Sequence, residues 1–269
     1  MRRFNSFLLL LLLAPTSHAE NWGHWRGPSY NGSSAETNLP TEWSLTENIR
    51  WSADLPGRSA ATPIIWDRHV FVSSTDSAAD TVNAICFDRG NGKLRWNHVF
   101  AKSTSRDKRS SFAAPSPVTD GKIVVFFSST GALAAFDFDG NQVWKRNIWK
   151  DYGEYQFQWT FASSPLLYGN KLYLQVLQRD VTVHGSERGN GRHESYLLAM
   201  EPSTGKTLWK KQRPSEAYAE SREAFSSPIP FELGDRKELL VVGGDSLSGH
   251  DLDTGNELWV DAVFGNDGT

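Results

Sequence analysis

A short phrase recurs four times in this chain, and it limits the possible folds more than any other feature of the sequence. Each copy ends on a tryptophan that follows a glycine by four residues, as in FDRGNGKLRW at 87–96 and MEPSTGKTLW at 200–209. The other copies are FDFDGNQVW at 136–144 and HDLDTGNELW at 250–259. Three positions recur: an acid (Asp88, Asp137, Glu201, Asp251), a glycine (Gly92, Gly140, Gly205, Gly255) and the tryptophan (Trp96, Trp144, Trp209, Trp259).

Each part of the phrase has a physical role in a β-hairpin. The segment before the acid is short and apolar, as a buried strand is. A polar turn follows, and its glycine supplies the positive φ that a tight turn needs. We therefore predict four hairpins, each with a docking tryptophan. A small residue two places before each acid leaves room for the indole in the neighbouring strand (Cys86, Ala135, Ala199, Gly249).

A second phrase precedes each copy and consists of a small or hydroxyl residue, a proline and an apolar residue. It stands at 61–64, 115–118, 163–166 and 227–229, and a turn and a β-rich run follow it each time. The repeat tryptophans are separated by 48, 65 and 50 residues, and the longest interval contains a Gly-rich, charged insertion at 181–194. Four-stranded units at a period near 50 indicate a β-propeller. A β-sandwich is the alternative, but two phrases in register favour the propeller.

Trp51 resembles the end strand of a further unit, although no unit stands in front of it. Propellers often close their ring by pairing an N-terminal strand with three C-terminal strands, and the sequence ends ten residues after Trp259 without them. We therefore predict an all-β protein with four blades and one orphan strand, an incomplete ring that is truncated, a fragment or half of an assembly. Its open blade faces would favour self-association. The predicted blades are about 58–100, 111–148, 159–212 and 222–263.

The N-terminus has the pattern of a secretory signal peptide. Arg2 and Arg3 precede an unbroken apolar run at 7–13, and Ser17-His18-Ala19 offers small residues for cleavage after Ala19. The apolar run is too short to span a bilayer comfortably, which disfavours the alternative of a membrane anchor. We predict a signal peptide at 1–19, an extension at 20–49 and a propeller at 50–269. The protein would be exported to the periplasm or outside the cell, with no transmembrane segment after cleavage.

The charge balance and the cysteine content reduce the number of possible functions. The 28 basic residues include Arg2 and Arg3, so cleavage leaves 26 against 31 acidic residues, which disfavours nucleic acid as a partner. A basic cluster at 102–109 is interpreted as a solvated loop. Cys86 is the single cysteine, so no disulfide can form within the chain. It lies in the apolar run AICF, which indicates a small buried hydrophobe rather than a catalytic thiol.

The repeat resembles the pyrroloquinoline-quinone-type (PQQ-like) propeller repeat over about residues 50–261. The N-terminal segment is similar to one subgroup of exported bacterial PQQ-like proteins in WGHWRGP at 22–28, LPTEW at 39–43 and LPG at 55–57. One branch, the quinoprotein dehydrogenases, implies a quinone and a calcium ion over the axis with an adjacent cysteine pair. This chain has only Cys86 and no clear set of calcium ligands. The other branch, the BamB-type scaffold, implies loops that bind partners and a lipid anchor, but no cysteine directly follows the apolar run.

Three further groups of residues are candidate sites. The segment 137–141 has the look of a calcium loop, but an EF-hand would need Glu where Ile148 stands, so we interpret it as a turn. His184 and His193 in the insertion suggest a metal site, although a solvated loop is the simpler interpretation. Aromatic residues at 149–159 either pack between blades or form a ligand surface. Residues considered for that surface are Trp149, Tyr152, Tyr155, Trp159, His184 and His193.

The leading hypothesis is an exported, non-catalytic binding or scaffold module with a protein partner and no cofactor. One alternative is a quinone-dependent oxidoreductase, or a degenerate relative that still binds PQQ with calcium. The other is a carbohydrate-binding propeller that uses the aromatic residues at 149–159. No Ser-His-Asp set, nucleotide loop or paired-cysteine site emerges from the spacing.

Overall fold

The computed structural model describes residues 20–102, 110–179, 194–217 and 219–261. Within them, four antiparallel sheets of four strands follow one another along the chain, and the strand order in each sheet is the chain order. The prediction of an all-β fold built from four-stranded blades is confirmed. The proposed signal peptide, most of the basic cluster, His184 and His193 lie outside the described residues.

The sheets are numbered as blades 1 to 4. Blade 1 has strands β1 (Ile64–Trp66), β2 (His69–Asp76), β3 (Thr81–Asp88) and β4 (Leu94–Lys102), and blade 2 has β5 (Val118–Thr119), β6 (Ile123–Phe127), β7 (Ala132–Asp137) and β8 (Gln142–Asn147). Blade 3 has β9 (Leu166–Tyr168), β10 (Lys171–Val176), β11 (Tyr196–Met200) and β12 (Thr207–Gln212), and blade 4 has β13 (Ile229–Leu233), β14 (Arg236–Gly243), β15 (Ser246–Asp251) and β16 (Glu257–Asp261).

Two short helices interrupt the β pattern, and neither was predicted. Helix α1 (Ile148–Tyr152) begins directly after blade 2, and the Asn147 side chain caps it by accepting a hydrogen bond from the Lys150 backbone N–H. A 3₁₀ helix (Ala219–Arg222) precedes blade 4. Both lie in connections between blades, where no repeat constrains the backbone.

The hydrophobic core lies between neighbouring blades. One cluster joins Phe71 and Ala84 of blade 1 to Phe126 of blade 2. A second joins blades 2 and 3, and a third joins blades 3 and 4. Each sheet therefore buries its faces against the next sheet, which explains why a single blade is not a stable unit.

Each repeat tryptophan lies directly across from the small residue that the sequence placed beside it. The fourth strand of every blade carries the tryptophan, and the third strand carries the small residue at the paired position. A larger side chain there would occupy the volume that the indole fills. The pairs are Trp96 with Cys86, Trp144 with Ala135, Trp209 with Ala199 and Trp259 with Gly249.

The tryptophans of blades 1 to 3 also dock on the glycine turn of the following blade. The Trp96 indole Nε1–H donates to the Phe138 carbonyl at 3.1 Å. A Cβ on Gly140 (φ +91°) would lie only 2.8 Å from the Trp96 ring, so the glycine provides both the turn and the space. The same arrangement places Trp144 on Gly205 with a bond to Pro202 O, and Trp209 on Gly255 with a bond to Leu252 O.

Trp51 occupies the equivalent position on blade 1. Its Nε1–H donates to the Arg89 carbonyl at 2.8 Å, and a Cβ on Gly92 would lie 2.6 Å from its ring. The backbone at 51–55 is irregular, however, whereas the sequence predicted a strand there. The docking contact thus forms without the strand, because the indole alone provides the packing and the hydrogen bond.

The proline phrases form a second contact between blades. In blades 1 to 3, the residue before the proline donates its backbone N–H to the serine hydroxyl at the same position in the next blade. Thr62 N donates to Ser116 Oγ at 2.9 Å, and Ser116 N donates to Ser164 Oγ at 3.0 Å. Ser164 N donates to Ser227 Oγ at 2.7 Å. These bonds run in one direction from blade 1 to blade 4 and hold the segments before the first strands in register.

The docking glycines are expected to be less replaceable than other turn glycines. Gly140→Ala must displace the Trp96 ring as well as strain a positive-φ residue, whereas Gly234 (φ +58°) has no neighbour within 4 Å of an added Cβ. We expect Gly234→Ala to cost about 1–2 kcal/mol from backbone strain. Gly140→Ala should cost a further ~1–3 kcal/mol from overpacking. Urea unfolding of the two variants measures the difference, and equal losses of stability would contradict the docking role.

Candidate functional site

An N-terminal strap, residues 20–32, crosses the first strands of blades 1 to 3. Trp22 and Ile65 of β1 exchange two backbone hydrogen bonds, at 2.8 and 2.9 Å. The next residue, Gly23, accepts a hydrogen bond through its carbonyl from the Thr119 N–H of β5 at 2.9 Å. The strap therefore pairs with two blades through consecutive residues.

The strap then turns and reaches blade 3. Gly27 (φ +74°) donates its N–H to the His24 carbonyl at 2.8 Å, and a Cβ on Gly27 would lie 2.6 Å from the Trp22 ring. Tyr30 follows and donates its hydroxyl to the Leu167 carbonyl of β9 at 3.2 Å. The turn is compact because glycine permits both its backbone conformation and the close approach of the indole.

A cavity of about 730 Å³ lies between the strap, Trp66 of β1 and the turns that follow β5, β9 and β11. Its size is that of a typical small-molecule site. Apolar side chains form much of its wall, among them Trp66, Val118, Ile123 and Leu167. We call this space the strap cavity.

The charged groups that line the strap cavity are mostly acidic. Glu20, Asp120 and Glu201 contribute three carboxylates, and Lys122 contributes one ammonium group. The lining side chains therefore carry a net negative charge, although the Arg26 charge also acts on His24 in the cavity wall. A net negative lining favours cationic over anionic ligands.

His24 lines the strap cavity and is only 4 % exposed. Its Nδ1 accepts a hydrogen bond from the Arg26 backbone N–H at 3.2 Å. Burial, and secondarily the nearby Arg26 charge, lower the pKa of His24 from 6.5 to about 4. The ring is therefore neutral at pH 7, and the proton belongs on Nε2 because Nδ1 acts as an acceptor. That Nε2 atom is buried and has no hydrogen-bond partner among the described residues.

The strap cavity does not fit the quinone that the resemblance implies. Pyrroloquinoline quinone carries three carboxylates, which need cationic partners in a binding site. The cavity offers three carboxylates of its own against Lys122, and His24 is neutral. We therefore derive no chemistry through that cofactor here.

The aromatic residues predicted at 149–159 mostly connect blades 2 and 3. Trp149 packs edge-to-face on Tyr155 with ring centroids 5.6 Å apart, and burial raises the pKa of the Tyr155 hydroxyl well above its usual value. The Tyr152 hydroxyl lies 2.8 Å from Thr207 Oγ1 in blade 3. Trp159 is the outermost of the four, 40 % exposed, and its Nε1–H donates to Glu220 at 3.0 Å.

The acid of each repeat serves its own turn. Asp137 accepts hydrogen bonds from the Asn141 backbone N–H and side-chain amide, both at 2.8 Å. Asp251 accepts from the Thr254 backbone N–H at 2.7 Å. These bonds help to hold the pKa values of both carboxyls below their usual range. The segment at 137–141 thus has the geometry of a turn, and the Asp137 and Asp251 carboxylates hold the backbone of their own turns.

Sequence reasoning missed the strap cavity. The segment WGHWRGP at 22–28 was recognised only as a family resemblance, and nothing in its spacing shows which blades it crosses. A histidine and two glycines among tryptophans were the one available signal, because such a cluster indicates a tightly packed backbone. The site becomes visible only when residues about 140 positions apart, such as Tyr30 and Leu167, are brought together.

The family described as outer membrane protein assembly factor BamB matches residues 41–190. This is more than half of the 269 residues. The chain therefore belongs to this family of PQQ-like repeat propellers. No curated protein sequence matches the chain significantly.

Solved structures support the fold. BamB from Moraxella catarrhalis aligns with a TM-score of 0.52 at 17 % identity, covering 81 % of this chain and 56 % of that one. Quinohemoprotein alcohol dehydrogenase from Comamonas testosteroni aligns with a TM-score of 0.52 at 16 % identity, covering 76 % and 35 %. A europium-containing methanol dehydrogenase aligns with a TM-score of 0.51 at 12 % identity, covering 75 % and 41 %.

These structures share the fold with this chain, and the chain spans about a third to just over half of their lengths. BamB and two dehydrogenases occur among them, so the fold alone does not decide whether a chain of this fold is an enzyme. Within the described residues, no helix is long and apolar enough to cross a membrane.

The low pKa of His24 makes the strap sensitive to acid. Between pH 6.5 and about 4 the unfolded strap binds a proton that the packed strap does not, so the stability of the packed strap falls as the pH falls through this window. The loss approaches about 3 kcal/mol below pH 4. The protection factors of the Trp22 and Gly27 amides, which correct the exchange rate for its intrinsic pH dependence, should therefore fall on acidification in the wild type and much less in His24→Phe. The same acid dependence in both proteins would contradict this assignment.

Proposed function

We propose that this chain is an exported, non-catalytic scaffold of the cell envelope that binds a protein partner. The family description, an outer membrane protein assembly factor, supports a role in protein assembly. The pattern at residues 1–19 supports export, with an extension at 20–49 and the propeller from residue 50. Propellers commonly bind partners through surface loops, which a rigid ring of sheets holds in place.

The observation that carries this proposal is an apolar surface on the N-terminal extension, residues 39–49. Trp43 is 68 % exposed and Leu45 is 98 % exposed. Leu39 and Ile49 are also exposed, and a backbone bridge between Ser44 and Glu47 folds the segment into a turn. Large apolar side chains in one exposed segment favour a protein interface, and tryptophan is frequent among residues that dominate binding energy.

Photo-crosslinking tests the apolar surface of residues 39–49. A photoreactive residue at position 43 or 45 should crosslink to one protein of the envelope, because these side chains would be buried against the partner. The same group at Val99, an exposed apolar position in blade 1, serves as the matched control and should not give that product. Mass spectrometry identifies the product. Identical products from all three positions, or none from 43 and 45, would contradict the proposal.

A quinone titration distinguishes the scaffold from the oxidoreductase alternative. A scaffold without a quinone site should show no saturable change in tryptophan fluorescence when pyrroloquinoline quinone is added with or without calcium. The quinone absorbs light and so lowers the measured fluorescence even without binding. A titration of free tryptophan at the same concentration gives the correction for this effect. A saturable change, or substrate-dependent dye reduction by the purified protein, would replace the scaffold with the enzyme.

A further inference from the structure

We propose that residues 51–58 act as a cap that prevents blade 4 of a second copy of this chain from docking on blade 1. The cap does not include the apolar surface at residues 39–49, and its action does not require the partner proposed for that surface. Three features carry this inference: one face of blade 4 is open, blade 1 has the turn on which such a face docks, and Trp51 already occupies that turn.

The far face of blade 4, which is the side of the sheet away from blade 3, corresponds to the side that each earlier blade packs against the next one. In blades 1 to 3, the three residues paired in a row with the repeat tryptophan on this side are at most 1 % exposed. These rows are Ile64, Phe71 and Cys86; Val118, Val125 and Ala135; and Leu166, Tyr173 and Ala199. In blade 4 the equivalent Ile229 and Leu240 are only partly buried, and the next residues on this side of their strands, Phe231 and Val242, are 37 % and 43 % exposed. The far face is therefore an apolar surface that a further sheet can cover.

Blade 4 also carries the two donors with which each earlier blade holds the next one. Its repeat tryptophan, Trp259, donates the indole N–H to Glu238 of the same sheet at 2.6 Å, whereas the other three repeat tryptophans donate to the following blade. Ser227 stands at the position from which the backbone N–H of blades 1 to 3 reaches the next serine hydroxyl. These donors and the apolar row of the far face are the parts with which blades 1 to 3 bind their neighbours.

Blade 1 has the matching acceptors. Its turn combines the gap above Gly92 with the Arg89 carbonyl, as the turn of blade 2 combines Gly140 with the Phe138 carbonyl. Thr62 stands where the serines of blades 2 to 4 accept a backbone N–H, and it also carries a hydroxyl. Blade 4 of one copy and blade 1 of another therefore have the parts of the interface that joins blades within the chain. Such a contact is head-to-tail, so it produces rings or open filaments.

The cap occupies the turn of blade 1. The Trp51 indole N–H donates to the Arg89 carbonyl at 2.8 Å, and a Cβ on Gly92 would lie 2.6 Å from the Trp51 ring. These are the acceptor and the gap that Trp259 of a second copy would need. A second indole has no room there while Trp51 is docked.

The cap also covers the face of blade 1 beside the turn. Trp51 and Leu55 pack on four buried residues of β2 and β3, namely Val70, Val72, Ile85 and Phe87. Farther along the cap, the Thr75 backbone N–H donates to the Arg58 carbonyl at 2.9 Å. Within the described residues, one end of the row of blades is thus covered and the other is open. A chain built in this way resists head-to-tail association, because only one of the two complementary faces is accessible.

Sedimentation equilibrium of the purified chain tests the cap. Trp51→Ala combined with Leu55→Ala, the cap variant, removes both apolar anchors of the cap and leaves the turn of blade 1 open. We expect the cap variant to associate at least about tenfold more tightly than the wild type, because a docked tryptophan commonly contributes that much to an interface. No increase in association would overturn the proposal.

Two further substitutions in the cap variant show whether association uses the far face of blade 4. Trp259→Ala removes the indole that docks, so it should return association to the wild-type level. Trp159→Ala is the matched control, since Trp159 is 40 % exposed but lies in the connection between blades 2 and 3, and it should have no effect. Association that persists with Trp259→Ala, or that falls equally with Trp159→Ala, would contradict docking through the far face.

A pair of cysteines shows which faces meet. In the three contacts within the chain, the backbone N of the residue before the proline lies 2.7–3.0 Å from the next serine hydroxyl. Cysteines at two such positions are therefore close enough for a disulfide. Thr62→Cys together with Ser227→Cys should give a covalent dimer of the cap variant on oxidation and much less of it in the wild type, and Cys86 is buried and does not compete. Either new cysteine alone should give none, and a dimer from Ser227→Cys alone would show that two copies of blade 4 meet each other, against the proposal.

Trp51→Phe tests the same point if the cap variant does not fold. The phenyl ring keeps much of the packing over Gly92 but loses the bond to the Arg89 carbonyl, so the cap opens more often. With Thr62→Cys and Ser227→Cys also present, the covalent dimer should form at least about threefold faster than in the chain that keeps Trp51, as expected for the loss of one hydrogen bond. Equal rates in the two proteins would overturn the proposal.

Discussion

The structure depends on one contact above all, the indole of one blade lying on the glycine turn of the next. The contact is steric and polar at once. The glycine leaves a gap that any Cβ would close, as for Gly140 under Trp96, and a backbone carbonyl beside it receives the indole N–H. Trp259 shows why the hydrogen bond of the indole matters. It is the one repeat tryptophan whose described indole bond stays within its own blade, where Nε1–H donates to Glu238 at 2.6 Å. An indole N–H in a partly buried site needs an acceptor, and blade 4 supplies one from its own second strand.

The serine bonds before the prolines complement the tryptophans because they act at the other end of each blade. The tryptophan belongs to the fourth strand, while Ser116, Ser164 and Ser227 stand just before the first. Two contacts at opposite ends of a sheet fix its rotation against its neighbour, which one contact cannot do. Each serine hydroxyl accepts from a backbone N–H that would otherwise be buried without a partner. The proline that follows has no N–H that needs a partner. Ser116 and Ser164 therefore each offer one donor, the backbone N–H, to the next blade and one acceptor, the hydroxyl, to the preceding blade.

The repeat could be predicted from the sequence because its parts lie close together in the chain. Acid, glycine and tryptophan fall within nine residues, and the small cross-strand partner follows from hairpin geometry. The serine phrase was visible as well, but its partner lies 48 to 63 residues away, and spacing alone does not show which groups bond. Helix α1 was missed since it occurs once, outside the repeat. The sequence of the aromatic residues at 149–159 is compatible with packing between blades and with a ligand surface. For Tyr155 the structure favours packing, because its ring lies against Phe161 and the core shared with blade 3.

The strap shows why a site in a repeat protein can stand outside the repeat. The four blades are built alike, so they provide a regular frame but little chemical variety. The strap occurs once, and Trp22, Gly23 and Tyr30 attach it to the first strands of three blades. Those contacts also tie blades 1 to 3 to one another. A ligand that binds only when the strap is packed would therefore stabilise the strap and the register of the blades together, by an amount set by its concentration relative to its dissociation constant.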